Sequence, residues 1–180
     1  MQLEEAGVAR GAYHFIYWCR YASEQADWFV RNVPRDPDAL PPVLDLEWHT
    51  HSKTCPQKIS RELALKKAKI ILEAMEQHTG KRPIIYTDPA FHREVLRGEL
   101  KDYQFWLRSV AGHPGDVYPG QPWTFWQYTA TGRVPGIEGD VDWTFIDDSV
   151  ACPVESRQTQ VNNSRGTVVF SCNSLFLPRN

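Results

Sequence analysis

The chain has 180 residues, 42% of them apolar and 23% charged, enough to bury one substantial core and too few for two ordinary domains. Its formal charge of -2 supplies no field to hold nucleic acid or anionic lipid, and no basic run of five or more residues occurs. No apolar stretch approaches the roughly 18 residues of a membrane span, and the opening "MQLEEAGVAR" has neither the basic nor the apolar region of an export signal.

After a short helical lead-in, "GAYHFIYW" (11–18) is dense in aromatic and β-branched residues and predicts a first strand. "SEQADWFVRNVP" predicts a helix, with Ser23 as its cap, acids in the first turn and Pro34 just beyond its end. "LPPVLDLEW" then reads as a second strand, nearly continuous in apolar residues as in buried parallel sheets. The clearest helix covers 60–78, where Ala64, Ala68, Ile71, Leu72 and Met75 recur at helical spacing and Gly80 is placed to stop it. "RPIIYT" is a third strand, and Asp88 followed by Pro89 gives the cap and first-turn proline of a helix through Leu96.

"YQFWLRSV" and "WTFWQYTA" form strands four and five around the Gly/Pro-rich loop "AGHPGDVYPG", and "GDVDWTFI" forms a short sixth. Six strands with helices between the early ones predict an α/β chain with a parallel sheet or barrel rather than a sandwich. Beyond Asp148 the sequence becomes rich in Ser and Asn without helical period. "TVVFSC" has strand composition but no partner by pattern, so 151–180 reads as a poorly ordered tail on a 1–150 domain.

Asp45 and Glu47 stand two apart at the end of an oily strand, so they share a face with backbones about 6.6 Å apart. That spacing suits glycoside hydrolysis, which needs one protonated carboxyl and one anionic group; it also suits a strand end whose acids pair with Lys or Arg. Close acids beside Val43, Leu44 and Trp48 push each other's proton affinities apart. In a parallel barrel, chemistry collects at the C-terminal strand ends, where Tyr13, His14, Asp45, Glu47, Tyr86, Gln127 and either Asp140 or Asp142 fall. His14 reads as a core histidine, since a second general acid is unnecessary. Trp126 divides evenly between cleft and core. Asp147 and Asp148 read as solvated.

The four cysteines show no CxxC and no zinc-ligand spacing, so no metal is expected. Cys19 and Cys55 follow neighbouring strands at one barrel end, and a bridge between their loops is geometrically reasonable in an exported protein. Cys152 and Cys172 have no such argument and read as unpaired thiols.

"GAYHF", "LPPVLDLEW", "GKRPIIYT", "FWLRSVAGHP" and "WTFWQYTATGRVPGIEGDVDWTF" resemble, in order, the strand signatures of glycoside hydrolase family 25, the Chalaropsis-type lysozymes, over residues 6–147. The resemblance implies a (β/α) TIM-like barrel and cleavage of the β-1,4 bond between N-acetylmuramic acid and N-acetylglucosamine in peptidoglycan. By it, Glu47 is the general acid/base, Asp45 stabilises the reacting centre or orients the substrate's 2-acetamido group, and Asp142, rather than Asp140, is a further acid of the groove. Tyr13, Tyr86 and Gln127 fall where the family lines its sugar cleft, and Trp126 stands beside them as a candidate for substrate binding. The implied partner is the peptidoglycan glycan strand, met by a monomer without metal or organic cofactor, in a family usually secreted or held at the cell envelope.

The family begins with a strand carrying an aspartate, and then a second strand, ahead of "GAYHF". The expected fold is therefore an incomplete barrel, with about six of eight strands present and the first two missing, and with open edges prone to aggregation. The alternative function is an inactive remnant that at most binds cell-wall glycan; a chitinase-like barrel glycosidase is a third reading.

Overall fold

The computed structural model describes residues 10–133, 138–147, 169–171 and 174–178. Six strands carry the fold: β1 (Tyr13–Phe15), β2 (Val43–Leu46), β3 (Ile84–Thr87), β4 (Gln104–Arg108), β5 (Phe125–Gly132) and β6 (Val141–Ile146). They lie side by side in chain order and curl into a half barrel. Among the described residues β1 is paired on one side only, so the sheet is open there rather than closed into a ring.

Helix α1 (Ala22–Asn32) connects β1 to β2, α2 (Arg61–Thr79) connects β2 to β3, and α3 (Pro89–Phe91) opens the link from β3 to β4. These helices are the crossovers that parallel strands require, and β1 to β5 are parallel. The expected all-parallel sheet fails at β6, which runs antiparallel to β5. Only eight residues, 133–140, separate the two strands, fewer than the dozen or so that a parallel crossover needs.

Local chemistry sets most boundaries where the sequence predicts them. The Ser60 side chain accepts from Leu63 N–H at the start of α2, and Gly80, at φ +69°, ends it with its N–H on the Glu76 carbonyl. Asp88 caps α3 by accepting from Phe91 N–H at 2.7 Å, and the helix widens into a π turn over His92–Leu96. Helix α1 departs from expectation: its cap residue is Tyr21, with no side-chain hydrogen bond, and Ser23 lies inside the first turn. Gln25 fixes this start instead, accepting from Tyr17 N–H at 2.8 Å and donating to the Tyr17 carbonyl at 3.0 Å. The loop between β4 and β5 holds a single helical turn, α4 (Pro114–Val117).

Strand alternation divides the interior in two. On the helix side Leu44, Leu46, Ile85, Phe105 and Leu107 pack with Phe29 of α1 and Ala68, Ile71, Leu72 and Met75 of α2. Each fully buried aliphatic or aromatic side chain there contributes about 1.5–3 kcal/mol relative to exposure. The concave side carries its own cluster, Val43, Ile84, Tyr86, Trp106, Phe125 and Ile146, and forms the floor beneath the polar strand ends.

Two further strands fall in the segment read as a poorly ordered tail. β8 (Ser174–Pro178) pairs antiparallel with β6, and β7 (Val169–Ser171) pairs with β8. Ladder pairing runs through backbone N–H and C=O groups, which a side-chain pattern does not report. The remaining residues of 151–180, including Cys152 and Cys172, lie outside the described residues.

Candidate active site

Asp45 is the third residue of β2 and points to the concave side, because Leu44 and Leu46 take the helix side. It is only 1% exposed, and the Tyr13 hydroxyl of neighbouring β1 donates to its Oδ2. Its Oδ1 is buried with no hydrogen-bond partner among the described residues. Burial, and then the charge of Glu47, raise the Asp45 carboxyl well above the usual carboxylate range; the Tyr13 hydrogen bond pulls the other way. Glu47 follows just beyond the end of β2.

Tyr86 sits opposite Asp45 in the β2–β3 register. Its hydroxyl donates to Gln127 Oε1 at 2.6 Å, tying β3 to β5 across the hollow of the sheet. That leaves the Gln127 Nε2 amide buried without a partner among the described residues. The Tyr86 phenol is held well above its ordinary pKa, first by burial and then by the charges of Asp45 and Glu47; Asp142 adds to this and Arg108 opposes it. Trp106 Nε1 donates to Thr144 Oγ1 at 3.1 Å, joining β4 to β6.

Asp140 and Asp142 differ in placement. Asp142 lies within β6 and is 8% exposed, whereas Asp140 precedes the strand, is exposed and pairs with Arg133 at 3.0 Å. Trp126 does not join the cluster. It neighbours Leu107 in the β4–β5 register, faces the helix side, donates from its indole to the Ser109 carbonyl at 2.8 Å and packs against His113 and Trp123. His14 is likewise on the far face, buried against Trp28 and Phe29, and burial lowers its pKa. A hollow of about 420 Å³ opens between β1 and α1, bordered by Tyr13, His14, Phe15, Tyr17, Gln25 and Trp28.

Arg108 is a member of this face that the sequence reading passed over. It aligns with Gln127 in the β4–β5 register, and strand period alone, counted from Trp106, would have found it. Among the described residues no three His, Cys, Asp or Glu side chains gather as metal ligands, and no helix is long and apolar enough to cross a membrane. The predicted bridge between Cys19 and Cys55 is present, with their Cα atoms 5.6 Å apart.

The curled six-stranded α/β half barrel is consistent with the fold of a glycoside hydrolase family. The chain belongs to the glycosyl hydrolases family 25, whose model matches residues 1–137. It is 34% identical over 146 residues to the YegX protein of Escherichia coli, covering 81% of this chain and 51% of YegX. It is 33% identical over 154 residues to lysozyme M1 of Streptomyces globisporus, covering 81% of this chain and 52% of that enzyme. Among solved structures, the bacterial lysozyme of Streptomyces coelicolor superposes with a TM-score of 0.66 at 32% identity, covering 82% of this chain and 71% of that one. The chain thus spans about half the length of the curated relatives it matches.

Proposed function

We propose that the protein is a peptidoglycan hydrolase, an N-acetylmuramidase acting on the β-1,4 bond between N-acetylmuramic acid and N-acetylglucosamine. Glu47 is the general acid that protonates the leaving oxygen and then the base that activates water. Asp45, buried two residues before it, supports the anomeric centre once ionised, or orients the substrate's own 2-acetamido group; its raised proton affinity sets the pH above which the ionised role is available. Asp142 completes the acidic wall, and Tyr13, Tyr86 and Gln127 shape the sugar site, the free Gln127 amide supplying donors for a sugar or acetamido oxygen. In this reading β1–β6 belong to a (β/α) barrel of the kind family 25 uses, and the partner is the glycan strand itself.

The observation that carries the reading is the buried Asp45 carboxyl, bonded by the Tyr13 hydroxyl and opposite Tyr86 at the end of β2 with Glu47 two residues on, in a chain of this family. A glycosidase separates two proton affinities in just such a place, and general acid–base help is worth about 10²–10⁴ in rate. The test is release of reducing ends from purified cell walls, with chitin as the control polymer. The proposal expects hydrolysis of murein, and a loss of at least about 100-fold in Glu47→Gln. Binding to walls without any release, or equal cleavage of chitin, would overturn it.

A further inference from the structure

Strand β2 ends at Leu46, so the sheet ladder does not fix the peptide of Glu47. Three consecutive carbonyls here are satisfied by three different donors. The Asp45 carbonyl accepts from Ile16 N–H at 3.3 Å and the Leu46 carbonyl from Thr87 Oγ1 at 2.8 Å. The Glu47 carbonyl accepts from the indole Nε1 of Trp18 at 2.8 Å. That indole is itself held from several sides. It is 1% exposed, stacked on Phe91 at 5.1 Å and 16° between planes, and tilted against Trp48 at 5.4 Å.

The backbone bearing it is pinned as well. Lys67 Nζ of α2 donates to the Trp18 carbonyl at 2.7 Å and to the Arg20 carbonyl at 2.8 Å. The next residue, Cys19, is bonded through sulfur to Cys55, and its N–H donates to the Cys55 sulfur at 3.0 Å. Trp48, the neighbour of Glu47, is anchored in turn through its indole to Glu94 at 2.7 Å, and Glu94 pairs with Lys58 at 2.9 Å.

We infer that Trp18 is the positioning residue for Glu47: its indole N–H fixes the peptide plane from which the Glu47 carboxyl reaches the leaving oxygen. The inference rests on the proposed role of Glu47 as general acid. A phenyl ring would keep an aromatic surface between Phe91 and Trp48, smaller than the indole, but leave the Glu47 carbonyl without this donor. A proton donor displaced by about 1 Å loses much of its effect, and the loss falls on substrates that need the proton. A glycan leaving group needs protonation to depart; an aryl leaving group of low pKa does not.

The test compares kcat/KM for a murein oligosaccharide with kcat/KM for the corresponding activated aryl β-glycoside, in the unmodified chain, Trp18→Phe, Lys67→Met and Glu47→Gln. The inference expects Trp18→Phe to lose roughly 10-fold or more on the oligosaccharide and less than about 2-fold on the aryl glycoside, following the pattern of Glu47→Gln. Lys67→Met, which frees the Trp18 carbonyl, should show the same selectivity more weakly. Equal losses on both substrates, or no loss on either, would overturn the positioning role. Should Trp18→Phe fail to fold by near-UV circular dichroism, the same comparison on Lys67→Met decides the matter. If Glu47→Gln itself shows no dependence on the leaving group, it is the proposed function that fails, and the role of Trp18 falls with it.

Discussion

The hydroxyl of Tyr13 donates to the carboxyl of Asp45, linking the free edge strand β1 to the acid pair at the end of β2. A hydrogen bond to the charged form of a carboxylate lowers its pKa, and here it opposes the upward push of burial and of Glu47. Tyr13→Phe removes the opposing effect, so Asp45 holds its proton to higher pH. The acid limb of the kcat/KM profile on cell walls is expected to move to higher pH, with the alkaline limb less changed. A profile superimposable on that of the unmodified chain would show that ionisation of Asp45 does not govern turnover.

The same carboxyl makes a prediction for stability. An acid that binds its proton more tightly folded than unfolded favours folding below its unfolded pKa of about 3.9, and that contribution disappears as pH rises through the folded value. The difference amounts to about 1.4 kcal/mol per unit of pKa at higher pH. Asp45→Asn keeps the shape and can still accept from Tyr13 while carrying no charge. It is expected to melt higher than the unmodified chain at pH 7, by roughly 2–4 °C per kcal/mol, and to lose most of that advantage at pH 4. Parallel thermal melts at the two pH values provide the measurement.

What could be read in advance divides along physical lines. Local signals held: Ser60, Gly80 and Asp88 cap helices through their own side chains or a left-handed backbone. The period of two placed Asp45 on one face with Leu44 and Leu46 on the other. The same period forbids adjacent Gln127 and Trp126 from sharing a face, and the structure sends the glutamine inward and the tryptophan outward. Long-range features were hidden. The reversal at β6 goes with a link shorter than a parallel crossover needs, and the pairing of β8 depends on backbone groups that carry no side-chain signature. The bond from Trp18 to the Glu47 carbonyl joins residues 29 positions apart through a main-chain atom that exists at every position, so no residue type announces it.

The Cys19–Cys55 bridge spans 36 positions and ties the loop after β1 to the loop after β2. Closing a loop of that size restricts the unfolded chain by about 3.8 kcal/mol in the chain-entropy description. Cys19→Ser together with Cys55→Ser is expected to lower unfolding free energy by about 2–4 kcal/mol in urea titration. The paired replacement should also reduce wall hydrolysis more than it raises KM, since the bridge adjoins Trp18. A double variant as stable as its parent would show that the reduced chain is already restricted in its unfolded state.

Gly132 closes β5 opposite Val141, and a Cβ there would overlap the Trp143 indole and come within 2.9 Å of the Val141 carbonyl oxygen. A backbone oxygen cannot rotate aside, so the strand pair itself must separate at the residues flanking Asp142. Gly132→Ala is therefore expected to cost about 1–3 kcal/mol in a denaturant titration and to reduce hydrolysis, because β6 carries Asp142, the acid proposed for the site. Gly112→Ala is the matched control: its Cβ would meet Val117 Cγ2 at 3.7 Å, an ordinary contact, and stability should stay within about 0.5 kcal/mol. Equal behaviour of the two alanine variants would mean that β5 and β6 do not approach as closely as their register implies, and the proposed place of Asp142 in the site would go with it.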